Sequence, residues 1–445
     1  MSLRKRDTTR DVVPLREAAK AWFAVSLQTF GGPAGQIAVM HRELVEERRW
    51  IGEERFLHAL SYCTLIPGPE AQQLATYLGW LLNGGVGGLI AGSLFVLPGY
   101  LAIMALSLIY AGFGDTTAVA AVFAGVAPAV LAIVAQAVWR VGGRALKNRF
   151  LVGVAVAAFA ALFVFAVPFP FVIAAAGLTG FVGGRIAPAL FSGGAHGRAK
   201  DAAVPPLIAD DALHGAGPSW GRAFRIGAVG IVLWALPVVV LGIVFGGRSI
   251  FVREGTFFTG TALVTFGGAY AVLSYVAQRA VTSYHWLLPG EMVKGLAMAE
   301  TTPGPLIQVV QFVAFLGAYR SPGTLNPWVA AIIGATLVTW VTYVPCFLFI
   351  FLGAPHIEQL GEQPRLSAAL TAITAAVVGV ILNLGVKFTT HALWPEPAHA
   401  FDAFVAVVAV TAFIAMQRFK LGLIPAIAAC AALGLLWHGL GSLDL

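Results

Sequence analysis

Charge is scarce in this chain. Asp, Glu, Lys and Arg make up 11% of its 445 residues, against about 25% in an ordinary soluble domain. Apolar residues make up 58%, above the usual ~45–50%, and the two departures together exclude a soluble globular protein. Cysteine is nearly absent. Cys63, Cys346 and Cys430 lie far apart with no CxxC spacing, which argues against a disulfide framework and a Cys-rich metal site. The alternating ten-residue segments of a transmembrane β-barrel are missing. No short apolar run with a small-residue cleavage site follows the basic N-terminus, so no cleaved signal peptide is expected. No dinucleotide-binding Gly motif, haem or flavin pattern is present. Neither an enzyme nor a cofactor is therefore expected. The net charge of +7 calls for no nucleic-acid partner, because loop Lys and Arg orient membrane proteins.

What remains is long apolar sequence punctuated by Gly and Pro, which helical spans tolerate where neighbours re-satisfy the backbone. With about 20 apolar residues per span, about thirteen segments qualify. They fall near 20–40, 56–82, 86–112, 117–138, 151–167, 171–190, 223–245, 256–278, 291–318, 328–353, 367–390, 401–417 and 421–440. The stretch from Phe191 to Trp220, rich in Gly and Pro with both charge signs, reads as a solvated linker. Three basic clusters fall on one side if each segment crosses once: Arg4, Lys5, Arg6, Arg10, Arg16 and Lys20; Arg140, Arg144, Lys147 and Arg149; and Arg418 with Lys420. The positive-inside rule makes that side the cytoplasm. The loop 41–55, with Arg42, Arg48, Arg49 and Arg55, then lies outside; a re-entrant path there is the alternative.

The chain repeats itself. "LQTFGGPAGQ" (27–36) resembles "LVTFGGAYAV" (263–272), and "IPGPEAQ" (66–72) resembles "TPGPLIQ" (302–308). Phe30 and Phe266, Trp50 and Trp286, and Pro67 and Pro303 are each 236 residues apart. Without gaps, 12 of 46 positions of 27–72 and 263–308 are identical, where chance between two such apolar segments would give about 3 or 4. Six spans, a linker span and six more would place the second repeat upside down. Inverted repeats are characteristic of secondary transporters, with the substrate site near the midplane between repeats. A duplication kept only for packing is the competing reading. The expected organisation is an all-α polytopic membrane protein with a first repeat over 1–190, a linker with its span over 191–255, and a second, inverted repeat over 256–445.

Proline lacks a backbone donor and suits the first turn of a helix. The Pro67-Gly68-Pro69 and Pro303-Gly304-Pro305 triplets therefore predict a helix stopping near Ile66 and another starting at about Pro69, once in each repeat. Such a half-helix points free N–H groups and the positive end of its dipole into the protein, where an anion can bind. A plain kink or a tight interhelical turn is the simpler alternative. Gly31-Gly32 and Gly267-Gly268 form a second pair of breaks, suited to close helix packing or to a backbone approach to substrate, with Thr29 and Thr265 just before them.

Polar side chains cluster at these breaks. Gln72 and Gln308, at equivalent positions, could donate to an oxyanion or satisfy broken backbone groups; Thr301 and Thr302 could do the same. Glu70 and Glu300 repel an anion unless protonated. Intramembrane carboxylates often mark proton relays, so they are the candidates for proton coupling; a water-exposed place in a funnel is the alternative. Arg42 and Lys294 are the cations singled out to attract an anion, with Arg48, Arg49, Arg55, His41 and His58 around them. In "HRELVEERRW", Arg42–Glu46 and Glu43–Glu47 have helical i,i+4 spacing and read as a solvated face. Trp50 and Trp286 read as interfacial aromatic-belt residues.

With these motifs in place, the chain resembles the chromate ion transporter family in its long form of two fused homologous halves. "FGGPAGQIAVMHRELVEERRW", "LIPGPEAQQLATYLGW" and "FVLPGY" resemble the signatures of the first half, and "FGGAY" and "TPGP" those of the second. The sequence departs from the pattern at Gly35-Gln36, near which many members carry a histidine, and at Ala269, where a proline is usual after the second Gly-Gly. The resemblance implies efflux of chromate across the bacterial inner membrane and chromate resistance. It also implies sulfate, a tetrahedral dianion of similar shape, as competitor or counter-substrate. The expected partners are chromate, sulfate, protons, the lipid bilayer and a second copy of the chain in a homodimer. A passive oxoanion or sulfate channel is the alternative function.

Overall fold

The computed structural model of the chain describes residues 12–30, 32–114, 116–191, 206–208, 220–266, 269–354, 364–394 and 400–441. Gly31, Gly267 and Gly268, the basic residues Arg4, Lys5, Arg6 and Arg10, and most of the expected linker lie outside the described residues. Within them the chain forms α-helices joined by short turns, with no β-strand. The helices are α1 (Leu15–Gln28), α2 (Pro33–His41), α3 (Glu53–Leu65), α4 (Glu70–Phe113), α5 (Thr117–Ala145), α6 (Arg149–Phe163), α7 (Phe169–Ile186) and α8 (Trp220–Phe245). They continue with α9 (Ile250–Leu263), α10 (Ala269–Thr282), α11 (Glu291–Thr301), α12 (Val309–Arg320), α13 (Pro327–Gly353), α14 (Pro364–Leu393), α15 (Ala403–Arg418) and α16 (Leu423–Gly441).

Six of these, in α4, α5, α7, α8, α13 and α14, are long and apolar enough to cross a membrane. The helix pairs α1/α2, α3/α4, α9/α10 and α11/α12 occupy the regions 20–40, 56–82, 256–278 and 291–318, so each of those segments is two helices rather than one. Conversely, 56–82 and 86–112 meet within α4, which continues through a kink where Asn83 (φ −139°, ψ 25°) and Gly84 (φ 63°, ψ −154°) leave helical geometry. Asn83 holds the kink by donating its amide to the carbonyl of Val13 at 2.6 Å.

The packing is reciprocal. At the centre α5 lies against α14; α5 also carries α15 and α16, while α14 carries α6 and α7. In sequence order α5 answers to α14, and α6 and α7 to α15 and α16, so each half embraces the long helix of the other. Small residues let these helices approach: a Cβ on Gly125 of α5 would strike the Gly434 backbone of α16, and one on Gly180 of α7 would strike Ala368 and Ala369 of α14. Such close approach is how helices associate in lipid, where there is no hydrophobic drive between them. Helix α8 sits outside this centre. It buries none of its residues, packs on α9 and α13, and is pinned by two indoles: Trp234 Nε1 donates to the carbonyl of Val341 at 3.0 Å, and Trp340 Nε1 to that of Leu233 at 2.8 Å. An apolar helix with this much exposed side chain is covered by lipid in a multi-pass membrane protein.

Three expectations are corrected. Trp50 and Trp286 are 5% and 1% exposed, so they are core residues and not members of a lipid-facing belt. Their N–H groups donate to Leu44 and Ala280, each at 2.8 Å, a matched pair of turns 236 residues apart. Residues 42–47 form a π-helical turn, which shifts side-chain neighbours from i+4 to i+5. Arg42 Nε therefore meets Glu47 at 3.4 Å, and His41 Nδ1 meets Glu46 at 3.1 Å; the expected Arg42–Glu46 partnership is not the one made. Finally, part of the linker is not solvated. Ile208 is buried, accepts from the N–H of Gly52 at 3.1 Å and donates to the carbonyl of Trp50 at 3.0 Å.

Candidate functional site

The two Pro-Gly-Pro triplets adopt the same conformation. Helix α3 ends at Leu65, Ile66 is extended (φ −100°, ψ 148°), Gly68 has φ +131°, and α4 begins at Glu70 with Pro69 as its N-cap. In the second half α11 ends at Thr301, Thr302 is extended (φ −101°, ψ 151°) and Gly304 has φ +108°. A single 3-10 turn, Leu306–Gln308, then precedes α12. Only glycine adopts such positive φ without strain. The second helix thus starts after the last proline in both halves, one residue later than expected at Pro69 and four later at Pro305.

The triplets hold the halves together. The N–H of Gly68 donates to the carbonyl of Thr265 at 2.8 Å, and that of Gly304 to the carbonyl of Thr29 at 2.9 Å. Donor and acceptor are exchanged between the halves at the same offset of 236. Two of the backbone donors expected to face an anion are therefore spent on the partner half. Carbonyls freed by the breaks are satisfied by amide side chains: Gln73 Nε2 donates to Pro67 at 2.7 Å, and Gln36 Nε2 to Gly304 at 2.5 Å. Neither glutamine is one the sequence singled out for this role. Gln72 donates to Thr76 Oγ1 at 3.1 Å. Gln308 donates to Gln311 Oε1 at 2.5 Å and to Thr339 Oγ1 at 3.2 Å. Both are buried, each with its Oε1 lacking a partner among the described residues. The hydroxyls of Thr29, Thr265, Thr301 and Thr302 turn back onto carbonyls of their own helices.

A cavity of about 1040 Å³ opens beside the breaks. Glu70 and Glu300, the residues flanking the two triplets, both line it, as does Gly32. Glu300 accepts a short hydrogen bond from the hydroxyl of Tyr270, which faces the same space. Farther out the wall is basic: Arg140, Arg144 and Lys147 from the end of α5 and its following turn, and Lys420 from the turn before α16. No side-chain hydrogen bond or ion pair holds these four cations among the described residues, and Arg140 acts electrostatically on Glu300 and Tyr270. Gln136, Arg140 and Arg144 recur every four residues and share one face of α5; all three line the cavity, Gln136 half-buried and the two arginines exposed. The arrangement supplies a large, water-accessible space with unpaired positive charge outside and two carboxyl groups at its base. It suits a multivalent anion and gives it a route toward groups that can exchange protons.

The two cations singled out from sequence lie elsewhere. Arg42 donates to Gln28 Oε1 at 2.6 Å and pairs with Glu47, as a solvated ion-pair network does. Lys294 lies over the ring of Tyr110, 5.2 Å from its centroid, and donates to its hydroxyl at 3.3 Å. Tyr110 in turn donates to Glu291 at 2.8 Å. Sequence reasoning had Arg140, Arg144, Lys147 and Lys420 in hand only as orientation markers. For Arg140 and Arg144, the i,i+4 spacing behind a polar Gln136 on an otherwise apolar helix is the signal that would have placed them at the site. Lys147, Lys420, Tyr270 and Gln36 carry no such signal.

A family model described as chromate transporter matches residues 16–181 and again residues 254–435. A chromate transport protein of Pseudomonas aeruginosa is 32% identical over 389 residues, 84% of this chain and 82% of its own length. A chromate transport protein of Cupriavidus metallidurans is 27% identical over 432 residues, 97% of this chain and 95% of its own. A probable chromate transport protein of Synechococcus elongatus is 26% identical over 385 residues, 86% of each. No solved structure matches the chain. Two consecutive matches to one family model agree with two homologous halves in a single chain.

Proposed function

The chain belongs to the chromate transporter family, and from that we propose that it is a secondary transporter that exports chromate across the bacterial inner membrane and so confers chromate resistance. The observation that carries this reading is the single cavity in which the unpaired cations Arg140, Arg144, Lys147 and Lys420 lead to Glu70 and Glu300 at the two helix breaks. A tetrahedral dianion entering from the cytoplasm meets the basic wall first. It then approaches the Pro-Gly-Pro segments, where Pro67, Gly68, Pro69, Pro303, Gly304 and Pro305 interrupt the helices.

In this reading about thirteen segments cross the bilayer, the four broken ones as helix pairs, and the halves 1–190 and 256–445 are inverted about a linker span within 191–255. The N-terminus is cytoplasmic, on the side of the 140–149 and 418–420 clusters. Glu70 and Glu300 take up and release protons as the anion moves, and sulfate competes for or exchanges with chromate because its shape and charge are similar. Inverted halves and interrupted helices are the recurring build of secondary transporters, and the exchanged Gly68–Thr265 and Gly304–Thr29 bonds support a two-fold relation between the halves.

Flux into proteoliposomes with defined chromate, sulfate and proton gradients tests this. Saturable chromate flux driven by a pH gradient or stimulated by sulfate on the opposite side is expected. Non-saturable, purely passive conductance would show a channel instead.

A further inference from the structure

The cavity has a counterpart in the second half that is closed. Past the helix breaks the offset between halves becomes 247. Gly68 packs against Cys346 as Gly304 packs against Gly99, and Cys346 is 247 residues beyond Gly99. Ala372, touched by Gly180, is 247 beyond Gly125, touched by Gly434. The same offset carries Gln136 to Asn383, Arg140 to Lys387 and Arg144 to His391. The polar face of α5 that lines the cavity is thus repeated, in kind and spacing, on α14.

The two copies differ in what covers them. In the first, the cavity separates Gly32, Pro33 and Ile37 around the start of α2 from Gln136 and Arg140 of α5. In the second, α10 is packed onto α14: Ser274 Oγ donates to the carbonyl of Val380 at 3.3 Å, and Val276, Val380 and Leu384 are buried. Asn383 is 3% exposed, and its Oδ1 has no hydrogen-bond partner among the described residues. Lys387 is half-buried, and its ammonium makes no hydrogen bond or ion pair among them. Leaving a buried amide oxygen and a partly buried ammonium unmatched is costly in a helix bundle.

We propose that Asn383, Lys387 and His391 form a second anion vestibule, which opens on the opposite face of the membrane when α10 and α11 part from α14 and α5. It takes the same tetrahedral oxoanion from the helix breaks and releases it. The proposal rests on the transporter reading for its ligand but not for its geometry. Exchange of the two halves' arrangements turns the present conformation, with the α2 side open and the α10 side shut, into its mirror in function.

Sided labelling tests it. Gln136→Cys and Asn383→Cys are introduced separately and exposed to a membrane-impermeant maleimide in right-side-out and inside-out vesicles; the buried Cys63, Cys346 and Cys430 make the parent chain the blank. Gln136→Cys should label from the face carrying the 140–149 turn, and Asn383→Cys, more slowly, from the other face. Labelling of both from one face, or of Asn383→Cys from neither, overturns the vestibule. In parallel, Lys387→Gln should lower flux of chromate or sulfate about tenfold, the loss of one charge-assisted contact, while Lys387→Arg retains it; unchanged flux in Lys387→Gln removes its anion role. If the parent chain carries neither anion, the substrate reading fails while the labelling pattern still decides the vestibule.

Discussion

The N–H of Gly68 donates to the carbonyl of Thr265 across the two halves, and Gly304 returns the same bond to Thr29. Each break in one half is thereby completed by the break in the other. Neither half pairs the N–H of its own central glycine, Gly68 or Gly304, and leaving a buried backbone donor unpaired is costly. The two sets of breaks consequently behave as one mechanical unit, directly beside Glu70 and Glu300.

Gly304→Ala should damage that unit. The residue has φ +108°, and a Cβ would stand 3.3 Å from the Cα of Gly99, a backbone atom with little room to yield. Strain of this kind costs roughly 1–3 kcal/mol. A lowered thermal midpoint of the purified protein, with flux falling further than stability does, is expected; a midpoint and flux equal to the parent's would remove the cross-half bond from the account.

Arg140→Gln and Arg144→Gln should weaken capture of the anion while sparing the later steps. At about 4 Å two unit charges interact by roughly 1 kcal/mol in water, and a dianion doubles this. The half-saturating chromate concentration should rise about fivefold to thirtyfold per substitution at low salt, and less at high salt because exposed charges are screened. The maximal rate should stay near the parent's. A fall in maximal rate alone would place these residues in the transport step and not in the vestibule.

Much of this was legible in the sequence for a physical reason. Helix breaks are written in local chemistry, since two prolines around a glycine remove donors and favour a break, and the constant offset exposes the second copy. A lone Pro-Gly is not enough, because Pro98-Gly99 stays inside α4. What packs against what was not. Trp50 looks like a belt residue by type, and only the turn that ties its N–H to Leu44 places it in the core. The π-turn at 42–47 changes which charges meet without changing the residues. The same limit applies to the site. Glu70 and Glu300 stood out because carboxylates are rare in apolar sequence, whereas Arg140 and Lys420, 280 positions apart, are joined only by the packing of α5 with α15 and α16.

Arg320→Met should separate folding from transport. Both guanidinium Nη atoms of Arg320 donate to the Glu291 carboxylate, each at 2.7 Å, and the N–H of Leu288 donates to the same carboxylate at 2.7 Å. Removing one partner of a buried pair leaves an uncompensated charge and costs roughly 3–5 kcal/mol; partial exposure of Arg320 puts this case at the low end. Yield and thermal stability should fall, while flux per folded molecule persists, because neither residue lines the cavity.

Glu70→Gln and Glu300→Gln test the coupling. An amide fills the space of the carboxyl group but cannot carry a proton, so an imposed pH gradient should no longer drive chromate accumulation in whichever variant removes the coupling group. Chromate exchange at equal pH on both sides should continue. The two residues are not interchangeable. Glu300 accepts from Tyr270, whereas Glu70 heads α4 directly after its break, and their equivalents in the other half are Thr64 and Leu306. A single coupling carboxyl should therefore appear as loss of pH-driven flux in one variant and near-parental behaviour in the other. Retention of pH-driven accumulation in both variants, and in the double variant, would show that neither carboxyl carries the coupling proton.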